Sequence, residues 1–246
     1  MARTAGNDII GAVGSLVFYK ARGNNYVRTK PRKSKKKRHA SLVDSSNLFA
    51  DVSRYGTGML GELKYRLLFP FTLNTYNQQR GWLRHRYATH KDDETWELAV
   101  RPGLVSQLNP VASLNDILEA DITVKDKGDG VVSVGIPALN PVKDIKAPKG
   151  TKNINLKLIV VTSPFRETGI RHAACMEQYT IPYRDTKLAA KKTDINCKMA
   201  GAVPAQHIAI VVIALEFEKT IVGTAKYSTE SKWLPAAIIA MGRLKG

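Results

Sequence analysis

The sequence predicts an α+β chain: an N-terminal β-hairpin with a basic segment, two helices, then an antiparallel β-sandwich of about seven or eight strands. Three observations predict it. Two β-prone runs flank a turn-rich stretch between residues 14 and 31; apolar residues recur at helical spacing from 41 to 92; and short β-prone runs parted by turn residues fill the rest. The expected divisions are 1–40, 41–92 and 93–246. At 246 residues and 43% hydrophobic content the chain can bury a substantial core.

In the hairpin, Ser15–Lys20 and Tyr26–Lys30 flank Ala21-Arg22-Gly23-Asn24-Asn25. A five-residue turn sets Lys20 opposite Tyr26, Phe18 opposite Arg28 and Leu16 opposite Lys30. Val17, Tyr19, Val27 and Thr29 would then share one face, and Lys20, Arg28 and Lys30 the other. A side-chain period of two makes this sorting depend on register, so a one-residue slip would undo it. Pro31, lacking an amide hydrogen, ends the pairing.

The next stretch dominates the electrostatics. Eight of the eleven residues from Arg28 to Arg38 are Lys or Arg: Arg28, Lys30, Arg32, Lys33, Lys35, Lys36, Lys37 and Arg38. No carboxylate lies among them. A core cannot absorb such crowding, because each charge would lose hydration without gaining a partner. The net charge of +17 is also uneven: residues 1–90 hold 17 Lys/Arg against 4 Asp/Glu, and residues 91–246 hold 21 against 17. Such asymmetry points to nucleic acid, an anionic surface or an acidic partner. The bland alternative is a solvated linker or an import signal.

Ser41 is the expected N-cap of the first helix, with Leu42, Phe49, Val52, Met59, Leu63 and Leu67 on its apolar side. Gly56, Gly58 and Gly61 spell Gly-x-Gly-x-x-Gly, but no strand precedes them and no acidic residue follows about twenty positions on. A kink or a close helix contact is the expectation. After Phe69-Pro70-Phe71, Asn74 is the expected cap of a second helix to about Thr89. That helix carries Arg80, Arg84 and Arg86, a basic stripe able to lie along phosphates or to be an ordinary solvated face.

In the last part the expected strands are Trp96–Val100, Glu119–Lys125, Val131–Ile136, a strand around Ile154–Val160, Ala173–Pro182, Asp194–Ala200, His207–Lys219 and Trp233–Arg243. Asp129-Gly130 signals a tight turn before the third. Ile208–Leu215 is almost continuously apolar, as a central strand should be.

The opening GAVGSLVFYKARGNNYVRTKPRKSKK, followed by two helices, resembles a family of bacterial proteins common in Bacteroidota. Their Gly-Val-Gly hairpin ends in Val-Arg-x-Lys-Pro and a basic run. The residues carrying the resemblance are Val13, Gly14, Tyr19, Gly23, Val27, Arg28, Lys30 and Pro31. It implies the order hairpin, helical pair, sandwich. It implies no function.

Nothing in the sequence spells catalysis. Gly-x-Ser-x-Gly and phosphate-loop patterns are missing, and Asp126 and Asp129 read as turn residues. His172, Cys175, Cys197 and His207 lack zinc-knuckle spacing, so buried free thiols are expected and no metal or cofactor. Ile9–Tyr19 is too short to span a bilayer. Asp8 stands where a signal peptide carries positive charge, so the cytoplasm, or a virion, is the expected location.

Two functions remain in view. The first is a non-enzymatic nucleic-acid-binding protein of weak sequence specificity. Its expected contacts are Lys20, Arg22, Arg28, Lys30, Arg32, Lys33, Lys35, Lys36, Lys37, Arg38, Arg80, Arg84 and Arg86. The second is a homo-oligomeric assembly subunit of a capsid, tail or filament, whose sandwich tiles and whose basic arm binds genome or a neighbour.

Overall fold

Tight glycine turns shape the front of the chain. The computed structural model describes residues 3–5, 8–21, 23–30, 39–90, 92–93, 95–100, 105–164, 173–183, 193–200, 207–221 and 224–245. Strands β1 (Arg3–Ala5), β2 (Asp8–Val13), β3 (Leu16–Ala21) and β4 (Asn24–Thr29) form one antiparallel sheet in chain order. Gly14, at φ 56°, turns β2 into β3, where Val13 pairs with Leu16. Ala21 pairs with Asn24, so only two positions separate β3 from β4, and Gly23 takes φ 82°. L side chains rarely adopt such angles, so glycine is what permits the short loop. The apolar run from Ile9 is thus mostly strand.

That loop corrects the expected register. Lys20 pairs with Asn25, Tyr19 with Tyr26, Phe18 with Val27 and Val17 with Arg28. Every partner differs by one residue from a five-residue turn, and the predicted cationic face is split. Arg28 shares a face with Val17, Tyr19 and Tyr26, while Lys20 lies on the other with Leu16, Phe18 and Val27.

The chain divides into two units, Met1–Asp44 and Ser45–Gly246, and the helical pair belongs with the β-layers of the second. Helix α1 (Ala40–Lys64) starts one residue before the expected cap. His39 is the residue at its threshold: its carbonyl accepts from the amides of Leu42 (2.9 Å) and Val43 (3.2 Å), and its Nδ1 meets Ser41 Oγ at 2.8 Å. Helix α2 (Leu73–His90) is capped by Thr72, not Asn74: Thr72 Oγ1 accepts from the Thr75 amide at 3.2 Å. Val52, Met59, Leu63 and Leu67 are buried as expected, but Leu42 (61% exposed) and Phe49 (54%) are not.

Six strands make the main sheet, with β5 (Ser106–Gln107), β13 (Ala236–Arg243), β11 (Ile208–Ile221), β8 (Thr151–Ser163) and β9 (Ala173–Pro182) in spatial order and β12 (Thr224–Tyr227) also paired to β11. A second sheet has the order β10 (Thr193–Lys198), β7 (Val131–Ile136), β6 (Thr123–Asp126). One-turn helices α3 (Leu114–Ile117) and α4 (Pro141–Asp144) complete the unit. The mixed, sheet-dominated α+β architecture is the one predicted. The expected strand Trp96–Val100 is reduced to two bridges, Glu97 to Arg243 and Val100 to Ala240.

Alternation along the central strands builds two cores. Ile154, Leu156, Leu158 and Val160 on β8, with Ala209, Val211, Ile213 and Leu215 on β11, face the three-stranded sheet. Ile159, Val161, Ile208, Ile210 and Val212 face α1 and α2. Both faces of Ile208–Leu215 are therefore covered, which explains its unbroken apolar run. Between the helices Gly56 sits so close that a Cβ would stand 3.1 Å from Leu83 Cδ1, the close contact expected of the glycine motif. The side chain of Gln79 ties α2 to β5: its Nε2 donates to the Gln107 carbonyl and its Oε1 accepts from Ser106 Oγ, both at 2.9 Å.

The expected free thiols are instead a disulfide, Cys175–Cys197, with Cα atoms 6.0 Å apart. It joins edge strand β9 of the main sheet to edge strand β10 of the small one. Tertiary pairing across two sheets brought them together, which no local spacing announces.

Candidate nucleic-acid interface

Strand alternation gives the front ribbon two unlike faces. The first carries Tyr19 and Tyr26, whose rings stack across β3 and β4 at 5.5 Å and 21°. Arg28 lays its guanidinium over the Tyr19 ring, 5.5 Å from the centroid. Delocalised cation on aromatic face is favourable, and it holds the charge in water where an anion can reach it. Every residue of β4 is exposed. The opposite face carries Val13 (56% exposed), Leu16, Phe18 and Val27 (55%), with Lys20 toward the tip.

The sequence-predicted cations divide into three groups. Lys20, Arg28 and Lys30 stand exposed on the ribbon, with Lys30 held by its amide, which donates to the Ser15 carbonyl at 2.6 Å. Arg22, Arg32, Lys33, Lys35, Lys36, Lys37 and Arg38 lie outside the described residues. Arg80, Arg84 and Arg86 are half-buried on α2. Arg80 Nη2 donates to Thr57 Oγ1 at 2.8 Å, and Arg84 Nη2 donates to Ser45 Oγ at 2.9 Å while covering the Phe49 ring at 5.7 Å. Arg86 too is engaged within the protein. Arg80 and Arg84 thus face α1 and tie that helix pair together, which weakens them as phosphate contacts.

Sequence reasoning missed the Tyr19–Tyr26–Arg28 constellation, because the assumed register put Tyr19 and Tyr26 on opposite faces. The available signal was the glycine at position 23, which favours the shortest loop.

Elsewhere, among the described residues, several aspartates shape turns. Asp126 Oδ1 accepts the Gly128 amide at 2.9 Å, and Asp129 adopts φ 49° inside the β6–β7 turn. Asp93 accepts the side-chain hydroxyl of Thr95 at 2.7 Å and its amide at 2.9 Å, and these bonds hold its carboxyl below the usual range. A cleft of about 180 Å³ beside β13 is lined by Val100, Leu114, Leu118 and Ile122, with Asn115 and one carboxylate, Asp121, and it contains no acid–base pair. Among the described residues no helix is long and apolar enough to cross a membrane.

No protein-family model, no curated protein and no solved structure matches the chain, so its function is argued from the residues themselves.

Proposed function

We propose that the chain is a non-enzymatic nucleic-acid-binding protein of weak sequence specificity that grips phosphates through the ribbon and the basic run after it. One observation carries this reading. Residues 1–44 hold 11 Lys/Arg against two Asp, and none of those carboxylates falls between Ile9 and Val43. Phosphate neutralisation releases condensed counterions, so affinity comes from the number of cations and their reach. With the α2 arginines occupied, the footprint contracts to residues 20–38. If about six charges meet DNA phosphates, log affinity falls with log salt at a slope near −5.

Electrophoretic mobility shift at low salt tests this with Lys33/Lys35/Lys36/Lys37→Ala. Loss of binding and a slope shallower by about 3 to 4 are expected, since four contacts are removed. Binding equal to the parent's would end the proposal.

The apolar ribbon face favours a second reading, an assembly subunit of a capsid, tail or filament. Val13, Leu16 and Val27 are open to solvent on one face, and a small ribbon gains stability by covering such a surface. A second copy would bury that face, leaving the aromatic one for genome. Light scattering at high concentration tests it: a strict monomer refutes self-association.

A further inference from the structure

We infer that the aromatic face of the ribbon is a stacking platform for unpaired bases, so the preferred ligand is single-stranded nucleic acid. The inference rests on the nucleic-acid reading above and goes further by naming the ligand class.

Tyr19 and Tyr26 lie nearly parallel, 39% and 41% exposed, on a strand pair open to solvent. A duplex offers groove edges and phosphates, but its base faces are already stacked on one another. A single strand offers the π-face itself, which tyrosine accepts with little regard for base identity. Arg28 lies over the Tyr19 ring, where its guanidinium would meet the phosphate of a base stacked on the tyrosine pair. Asn24 belongs to the same face, since it pairs with Ala21 two positions beyond Tyr19, and adds an amide. Neither β3 nor β4 carries a carboxylate to repel a polyanion. The cross-strand tyrosine pair also stabilises the ribbon itself, so the test must separate stacking from folding.

Fluorescence anisotropy would compare an oligothymidylate of about 20 nucleotides with a duplex of equal length at one salt concentration. The full chain would be assayed as wild type, Tyr19→Ala/Tyr26→Ala and Tyr19→Phe/Tyr26→Phe. Wild type should prefer the single strand. The alanine pair should lose roughly 5- to 150-fold for each stacked base on the single strand, with duplex affinity little changed. The phenylalanine pair should bind as wild type, because the ring is what stacks. Photocrosslinking to 4-thiothymidine should place adducts on Tyr19 or Tyr26. The inference is overturned if the alanine pair binds oligothymidylate like wild type, if it loses both ligands equally, or if adducts fall elsewhere. Wild-type failure on both ligands at low salt would overturn the nucleic-acid reading as well.

Discussion

Replacing Gly242 by alanine adds one methyl group where two backbone segments touch. Gly242 lies in β13, and a Cβ there would stand 2.5 Å from the carbonyl carbon and oxygen of Glu97 and from the amide nitrogen of Leu98. Carbon contacts normally begin near 3.5 Å, so the gap is short by about 1 Å. The intruded atoms are main chain, with no side-chain rotamer to turn aside. The segment must lift, and three attachments resist: the Arg243 amide donates to the Trp96 carbonyl at 2.8 Å, Trp96 is fully buried, and its ring stacks on His90 at 5.0 Å.

Overpacking costs about 1–3 kcal/mol and a lost main-chain hydrogen bond about 1, so a penalty near 3 kcal/mol is expected. For a unit of this size that lowers Tm by about 6–12 °C. Circular dichroism would follow the melt, and tryptophan emission should shift red as Trp96 loosens. Gly61→Ala is the opposite case: it lies within α1 with nothing inside 4 Å of its Cβ, and should stabilise by about 0.5–1 kcal/mol. A Gly242→Ala protein melting within a degree or two of its parent would refute the reasoning.

Lys157 and Glu216 form an ion pair at 2.5 Å with both side chains largely buried. Lys157→Met should cost about 3–5 kcal/mol by stranding the carboxylate, and adding Glu216→Leu should recover most of it; urea unfolding of single and double variants checks this. Cys175→Ser opens a link spanning 22 positions, for which loop-closure entropy predicts a loss of about 3 kcal/mol. Wild type in excess reductant should show the same drop in urea midpoint. Because the Asp93 carboxyl titrates below its ordinary value, its stabilising effect is present above the usual carboxylate range and is lost as pH falls through the lowered folded value. The stability gap between wild type and Asp93→Asn should accordingly close in an acid titration as pH falls below the ordinary carboxylate range.

Much of the fold was legible where periodicity alone decides. β7 runs over the predicted residues Val131–Ile136, and β9 over Ala173–Pro182, because alternation and flanking turns bound them. What escaped was set by partners distant in sequence. β5 has two residues and β12 four, too few for a pattern, and each exists by pairing with a neighbour in the main sheet. Leu42 and Phe49 hold the right helical spacing for a core, yet spacing tells which residues share a side and not whether anything covers it. At the candidate interface the cations were plain in composition, but which of them share a face depended on a loop shorter by three residues than assumed. The arginines of α2 show the same limit, since charge spacing cannot reveal that Ser45 and Thr57 await them across a helix pair.

Because β8 and β11 serve both cores, neither layer can depart alone. Peeling α1 and α2 away would wet Ile208, Ile210 and Val212, whose immediate neighbours along the chain hold the other layer in place. Heating should therefore dissolve residues 45–246 in one cooperative step, and amide protons in the middle of β11 should be the last to trade with deuterium.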